Sequence, residues 1–340
     1  MNILYIYDNK EDKDLLLDKD NNYFFYQLNI GEIFGQGMIK VNNSRKLNSV
    51  ALRYAKDYSN FIFSINSDFL RKQIVKKDLS LYFISDLACK RTEQFHTYSD
   101  FCNSIIIKDI IEKHKIEKIV FDGCRASFID CFKPYPEILL VSEVRKLNDK
   151  SSYLFQMIRN GQFFLKILIA QIFDLSKKKD SSRCIKNQNN KIFLTRYPKH
   201  LDRNLNEDKY ASMVKLTDNF LINFFTDNFH QKVGLFDYFR FKRIFKDNPR
   251  VIVLDSFIKI KSIFSHFFFT FFYAWKISKI SKINRNFNGI NLTSNIRNEL
   301  LFSISRTPRL LMIESALEVL IKRHDIKQFV FGENQNLLKK

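Results

Sequence analysis

Apolar positions along this chain keep two rhythms, and the rhythms alternate. Met1–Tyr7 (MNILYIY) is a short apolar run that stops at Asp8, and it predicts a first buried strand. Leu81–Leu87 (LYFISDL) predicts a second. Ile105–His114 (IIIKDIIEKH) has helical spacing, and Ile119–Phe121 then gives a short strand ahead of Asp122-Gly123. Pro136–Val141 (PEILLV) predicts a further strand. After a polar stretch the pattern begins again with strands at Lys191–Thr195 (KIFLT), Phe220–Thr226 (FLINFFT) and Val251–Leu254 (VIVL). A helix over Pro308–Arg323, with its proline in the first turn, leads to a strand at Phe329–Phe331. Helix, buried strand and polar turn in succession are the signature of an α/β protein, whose ligand groups sit at strand ends. The expected architecture is two Rossmann-like lobes with interposed apolar amphipathic helices. The unit helix, charged turn with His, short strand occurs twice, as EKHKIEKIVFDG (Glu112–Gly123) and KRHDIKQFVFGE (Lys322–Glu333). It reads as the generic way such helices feed strands.

Two segments break this rhythm with longer apolar helices. In the first, Leu154, Ile158, Leu165, Leu168, Ile169 and Ile172 share a face opposite Asn160, Lys166, Gln171 and Asp174. It runs into Lys177-Lys178-Lys179 and the polar stretch Asn187–Asn190, the best linker candidate. The second, over 257–280, contains Ile263–Trp275 (IFSHFFFTFFYAW). There Phe257, Ile260, Phe264, Phe267, Phe268, Phe271 and Trp275 recur at helical spacing, opposite Lys259, Ser262, His266, Thr270 and Tyr273. Spanning a bilayer takes ~20 largely apolar residues, more than this run supplies. With Lys259 and Lys261 before it and Lys276, Lys279 and Lys282 after it, it fits a helix lying in a membrane interface. A packed core helix is the other reading. The domain division that follows is 1–150, an N-terminal α/β lobe; 151–190, apolar helix and basic linker; and 191–340, a second α/β lobe carrying the helix at 257–280.

Composition narrows the partners. The 340 residues carry a formal net charge of +20, which suits nucleic acid, acidic lipid or a phosphate-bearing substrate. The cysteines, Cys89, Cys102, Cys124, Cys131 and Cys184, include no CxxC pair, which favours free thiols and argues against zinc. Basic residues interleaved with aromatics suit nucleic acid too, but no signature of a nucleic-acid module accompanies them, and that reading ranks third.

No phosphate loop, nucleophile elbow or HExxH motif is present. The candidate chemistry lies after strands of the second half. In Thr195–His200 (TRYPKH), Arg196 offers a bidentate fork to phosphate, with Lys199 and His200 beside it. In Thr226–Gln231 (TDNFHQ), Asp227 and His230 are spaced for a carboxylate to orient an imidazole acting as general base on a hydroxyl, or for Asp227 to cap a helix. In Gly332–Gln335 (GENQ), Glu333 and Gln335 suit hydroxyls or a base.

Lys191–Asn228, with Phe229-His230-Gln231 and Phe331–Gln335 (FGENQ), resembles the bacterial surface-carbohydrate biosynthesis proteins, a group similar to GT-B-type glycosyltransferases. The resemblance is most specific around Thr195–Tyr210 and at Glu333-Asn334-Gln335. It implies transfer from a nucleotide-sugar donor to a lipid-linked or surface-glycan acceptor, for capsule, O-antigen or lipopolysaccharide, at the cytoplasmic face of the inner membrane. Asp227 and His230 then become the base candidates, and Arg196, Lys199, His200, Glu333 and Gln335 the substrate-binding candidates. Phe264, Phe267, Phe268, Phe271 and Trp275 become the membrane contacts, on an anionic surface. No cofactor or metal is expected. Family members are longer, with a further α/β domain after FGENQ, where here Asn336–Lys340 follows. The expectation is therefore an acceptor-side half: a truncated product, one half of a split enzyme whose second polypeptide carries the donor domain, or a chain inactive alone. A non-catalytic membrane-binding or assembly subunit is the alternative.

Overall fold

The computed structural model describes residues 1–8, 20–28, 39–41, 44–89, 96–133, 139–145, 152–175, 192–196, 219–222, 234–245, 251–324 and 328–331. The fold is mixed α/β and mostly helical, with small parallel sheets. It divides into two compact units, 1–156 with 273–304, and 157–272 with 305–340.

The first unit begins with β1 (Asn2–Tyr7), β2 (Asn22–Gln27), β3 (Ile39–Lys40), α1 (Ser44–Ser64), α2 (Asn66–Arg71), β4 (Val75–Lys76) and β5 (Leu79–Ser80). It continues through α3 (Asp86–Cys89), α4 (Thr97–His114), β6 (Lys118–Arg125), α5 (Ala126–Ile129) and β7 (Leu139–Arg145). Its main sheet is parallel throughout, in the order β3-β2-β1-β6-β7. β1 buries Ile3, Leu4 and Ile6, and β6 buries Ile119, Val120 and Phe121, so both central strands are apolar on both faces. The run Leu81–Leu87, expected as a strand, is instead a 3-10 turn over Leu81–Ile84 followed by α3. The Ser80 hydroxyl accepts from the Tyr82 amide and caps that turn, giving the backbone a local alternative to pairing.

The second unit holds α6 (Tyr153–Leu175) from Met157 onward, β8 (Ile192–Arg196), β9 (Asn219–Ile222), α7 (Leu235–Phe245), β10 (Val251–Val253) and the start of α8 (Ile260–Ile280). The rest of α8, the hairpin β11 (Asn286–Phe287) and β12 (Ile290–Asn291), and the start of α9 (Thr293–His324) belong to the first unit, whereas α9 from Ser305 and β13 (Gln328–Phe331) belong to the second. Its sheet, β10-β9-β8-β13, is also parallel throughout. The core gathers Phe163, Phe164 and Ile167 of α6, Tyr238 of α7, Ile252 of β10 and Met312 and Leu320 of α9.

The repeated sequence unit lands in equivalent places: β6 pairs with β1, and β13 pairs with β8, each as the strand added beyond the first of its sheet. Pro308 does not open a helix as its first-turn position predicted. α9 begins at Thr293, and Pro308 lies inside it. Lacking an N–H, it leaves the Ile304 carbonyl without its intrahelical donor.

Within the first unit a charged clamp holds α2. Buried Asp68 accepts from Arg71 and from Arg285, whose side chain is itself largely buried. Asp68→Ala leaves that guanidinium without its carboxylate. A loss of about 2 kcal/mol is expected in urea unfolding, whereas Arg71→Ala, on the exposed partner, is expected to cost well under half of that.

Candidate functional site

Two features of the described residues stand out, a buried polar cluster in the first unit and an exposed apolar surface in the second.

The cluster starts at the carboxyl ends of β1 and β6, the neighbours at which the strand order reverses direction. Asp8 directly follows β1, and its amide donates to the Asp122 carbonyl at 3.1 Å. Asp8 and Asp122 are both buried. The pairing of β6 with β7 shifts register on either side of Asp122, and Gly123 there takes a left-handed backbone (φ 64°). The irregularity brings Arg125 to α4, where its guanidinium donates to Asp100 at 2.5 Å. Asn295, in the first turn of α9, donates to the other Asp100 oxygen at 2.7 Å. Burial raises Asp100 to about 6, against the lowering pull of Arg125 and Asn295. One helical turn along α9, Glu299 accepts from the Thr97 hydroxyl, and burial lifts its carboxyl to about 8, with Asp86 and Asp100 adding like charge. The thiols of Cys124 and Cys131 are pushed up by burial and stay protonated. The Cys131 thiol can then donate to the Asn295 side-chain oxygen at 3.7 Å. The arrangement is a polar clamp joining β6, α4 and α9. Among the described residues no group of His, Cys, Asp and Glu is set to hold a metal ion. An open cleft of about 820 Å³ in the same unit, lined by Lys46, Asp109, Glu112 and His114, lies elsewhere. The His114 carbonyl bonds Asn2 at the start of β1, so the cleft opens by the sheet's amino edge.

In the second unit the apolar helices bury apolar and polar residues together and leave a second apolar stripe exposed. Asn160 and Gln171 of α6 and Thr270 of α8 are buried, with Tyr273 beyond them on α8 buried as well. Ile158 (52%), Leu165 (57%) and Ile172 (53%) of α6 are exposed, as are Phe264, Phe268 (65%), Phe271 and Phe272 of α8 and Trp275 further along it. Thus Thr270 and Tyr273, on the stripe opposite the aromatics, point inward. Phe257 lies before α8 in a 3-10 turn and is buried, and Phe267 is half-buried against Phe164, ring centroids 5.9 Å apart. The inward polar groups are satisfied. Asn160 donates to Thr270 at 2.8 Å and accepts from Arg309 at 2.9 Å, and Gln171 donates to the Asp255 carbonyl at 2.5 Å. Arg309 also donates to the Arg159 carbonyl and lies over the Phe163 ring, 4.2 Å from its centroid. Because Asn160, Thr270, Gln171 and Arg309 find partners within an otherwise apolar core, these polar groups can be buried while further apolar residues of both helices face out. Trp275 carries the Lys279 ammonium 3.7 Å from its ring centroid, and Lys259, Lys261 and Lys282 are exposed. No described helix is long and apolar enough to cross a membrane.

Of the sequence-predicted chemistry, Arg196 ends β8. Lys199, His200, Asp227, His230, Glu333 and Gln335 lie outside the described residues. β8, β9 and β13 run parallel, so their carboxyl ends lie at one edge of their sheet. Sequence reasoning missed the polar clamp because its members come from four separate segments. The aspartate that follows each of the runs MNILYIY and KIVF was its visible trace.

No family model, no curated protein and no solved structure matches this chain.

Proposed function

We propose that this chain is a membrane-associated, glycosyltransferase-like protein of surface-polysaccharide assembly, working at the cytoplasmic face of the inner membrane. The observation that carries the reading is the outward aromatic stripe of α8, framed by lysines, on a helix whose buried Thr270 is hydrogen-bonded to Asn160. An aromatic, lysine-fringed helix surface is chemically matched to the headgroup region of an anionic bilayer. The enzyme half of the reading draws support from the two parallel sheets, β3-β2-β1-β6-β7 and β10-β9-β8-β13, whose first four strands share one order, as an expectation of two Rossmann-like lobes would have it. It also draws on the resemblance that runs through Arg196 to Gln335. In this reading a nucleotide sugar is the donor and a lipid-linked glycan the acceptor. Asp227 or His230 takes the acceptor hydroxyl proton, and Arg196, Lys199 and His200 face phosphate, with Glu333 and Gln335 on hydroxyls or base.

A thermal-shift screen of nucleotide sugars on the isolated chain tests the enzyme half. A donor present at ~100 times its dissociation constant stabilises by ~2.7 kcal/mol, an upward shift of several degrees that Arg196→Ala is expected to reduce. If no nucleotide sugar shifts the melt while vesicles still bind, the non-catalytic assembly subunit takes its place.

A further inference from the structure

We infer that α6 and α8 together form one flat two-helix plate that docks on an anionic lipid bilayer. The inference rests on the membrane reading above and deepens it, naming the whole contact surface and the lipid class that covers it.

The geometry comes from the contacts between the helices. Asn160 meets Thr270, and Phe164 meets Phe267, so rising numbers on α6 meet falling numbers on α8. The two helices are antiparallel. At about 100° per residue, Ile158, Leu165 and Ile172 fall within an arc of about 40° on α6. Phe264, Phe268, Phe271 and Phe272 fall within about 100° on α8. On α6 the contact residues Asn160 and Phe164 sit about 100–140° behind the stripe, and on α8 Thr270 and Phe267 sit about 85–145° behind theirs, in the same rotational sense. Two antiparallel helices whose stripes are displaced from the contact in the same sense present both stripes on one side. The exposed apolar residues of α6 and α8 are therefore one continuous surface, larger than the isolated apolar residues normal on a soluble protein.

Charge selects the occupant. Neither Tyr153–Phe173 nor Ile260–Ile280 contains an aspartate or glutamate. Exposed Lys166, Lys259, Lys261 and Lys279 lie on or beside the two helices. A second copy docking face to face by two-fold symmetry sets this lysine-fringed face, whose one acid on either helix is Asp174 in the last turn of α6, against its own like. A bilayer containing anionic lipid meets the same face with hydrocarbon for the aromatics and negative headgroups for the lysines. Neither helix is apolar enough along its length to cross a membrane, and a helix with an apolar face and lysines beside it suits the plane of the interface.

The chain has a single tryptophan, Trp275, at the end of the α8 stripe, so its emission reports on that helix alone. A second reporter is Leu165→Trp in a Trp275→Phe background, which puts the only indole on α6. Both are measured with vesicles of phosphatidylcholine mixed with phosphatidylglycerol, with and without brominated acyl chains, and with phosphatidylcholine alone. Expected are a blue shift and bromine quenching at both positions on mixed vesicles, and little change on phosphatidylcholine. Ile158→Ser with Leu165→Ser and Ile172→Ser is expected to weaken vesicle partitioning at least ~10-fold, with far-UV circular dichroism unchanged because the sites are exposed. Quenching at Trp275 but not at position 165, with the α6 triple variant binding as wild type, overturns the plate and leaves membrane attachment through α8. Absence of quenching at both positions, with no co-sedimentation, overturns the plate and the membrane reading together. A dimer seen by light scattering that the triple variant dissociates, with no vesicle binding, assigns the face to a second copy and overturns the lipid assignment.

Discussion

Between about pH 5 and pH 8 this protein is expected to lose several kcal/mol of stability, and Glu299→Gln is expected to abolish most of that loss. Glu299 is buried on α9, and its carboxyl is raised from 4.5 to about 8 by burial first, then by like charge from Asp86 and Asp100, against the lowering Thr97 hydrogen bond. A folded-state value above the unfolded one means that the native state holds a proton the unfolded chain releases. The contribution is full below about 4.5, declines as pH rises towards 8 and is gone above it. At ~1.4 kcal/mol per unit of separation the loss is on the order of 5 kcal/mol. Asp100, raised to about 6 from 3.8, adds a loss of the same sign at the acid end of that window. Tyr58 and Tyr82, which face Glu299, are pushed up, Tyr82 to about 12, and titrate above it. Glutamine keeps the side-chain oxygen that accepts from Thr97 but cannot ionise. The difference in unfolding free energy between Glu299→Gln and wild type, followed by urea titration, should therefore grow with pH and level off above about 8. Parallel curves across the window would mean that Glu299 ionises without penalty and that the clamp is solvated.

The strands that recur as apolar runs were legible from patterning: β1, β6, β8, β9, β10 and β13 each lie within or overlap a run that composition alone marks out. What patterning missed has physical causes. β2 (NYFFYQ) carries its aromatic residues between polar ends and packs on β1 through tertiary pairing that local sequence does not encode. The Leu81–Ile84 turn carries strand-like residues, yet Ser80 diverts its backbone. The apolar helices were recognised, but patterning left open whether the aromatic face turns out to an interface or in to a core. An amphipathic pattern fixes which residues share a side, while the choice of inner side depends on whether Asn160 and Thr270 find partners. Those partners come from Arg309 and from the opposite helix, far away in sequence. The clamp around Asp100 was invisible for the same reason, since Arg125, Asn295 and Asp100 are brought together only by β6, α9 and α4.

Replacing Asp100 by alanine is expected to cost about 3–5 kcal/mol, the effect of taking one partner out of a buried charged pair. Asp100 is buried, and its two oxygens serve different elements, Arg125 at the end of β6 and Asn295 at the start of α9. Its removal leaves the Arg125 guanidinium, 15% exposed, without its carboxylate, and leaves the Asn295 amide without its acceptor. Burial raises Asp100 to about 6, and Arg125 first and the Asn295 amide second oppose that rise. That opposition makes the conservative change informative. Asp100→Asn retains one oxygen for Arg125 but sets an amide donor against the Asn295 amide, and about half the alanine loss is expected from urea midpoints at pH 7. The double variant Asp100→Ala with Arg125→Ala separates the two costs. If the penalty comes from the stranded guanidinium, removing Arg125 as well recovers part of it, and the coupling between the two sites is about 2 kcal/mol or more. Strict additivity would mean that the two side chains contribute independently, and that the link from the end of β6 to α4 is made by packing instead of by charge.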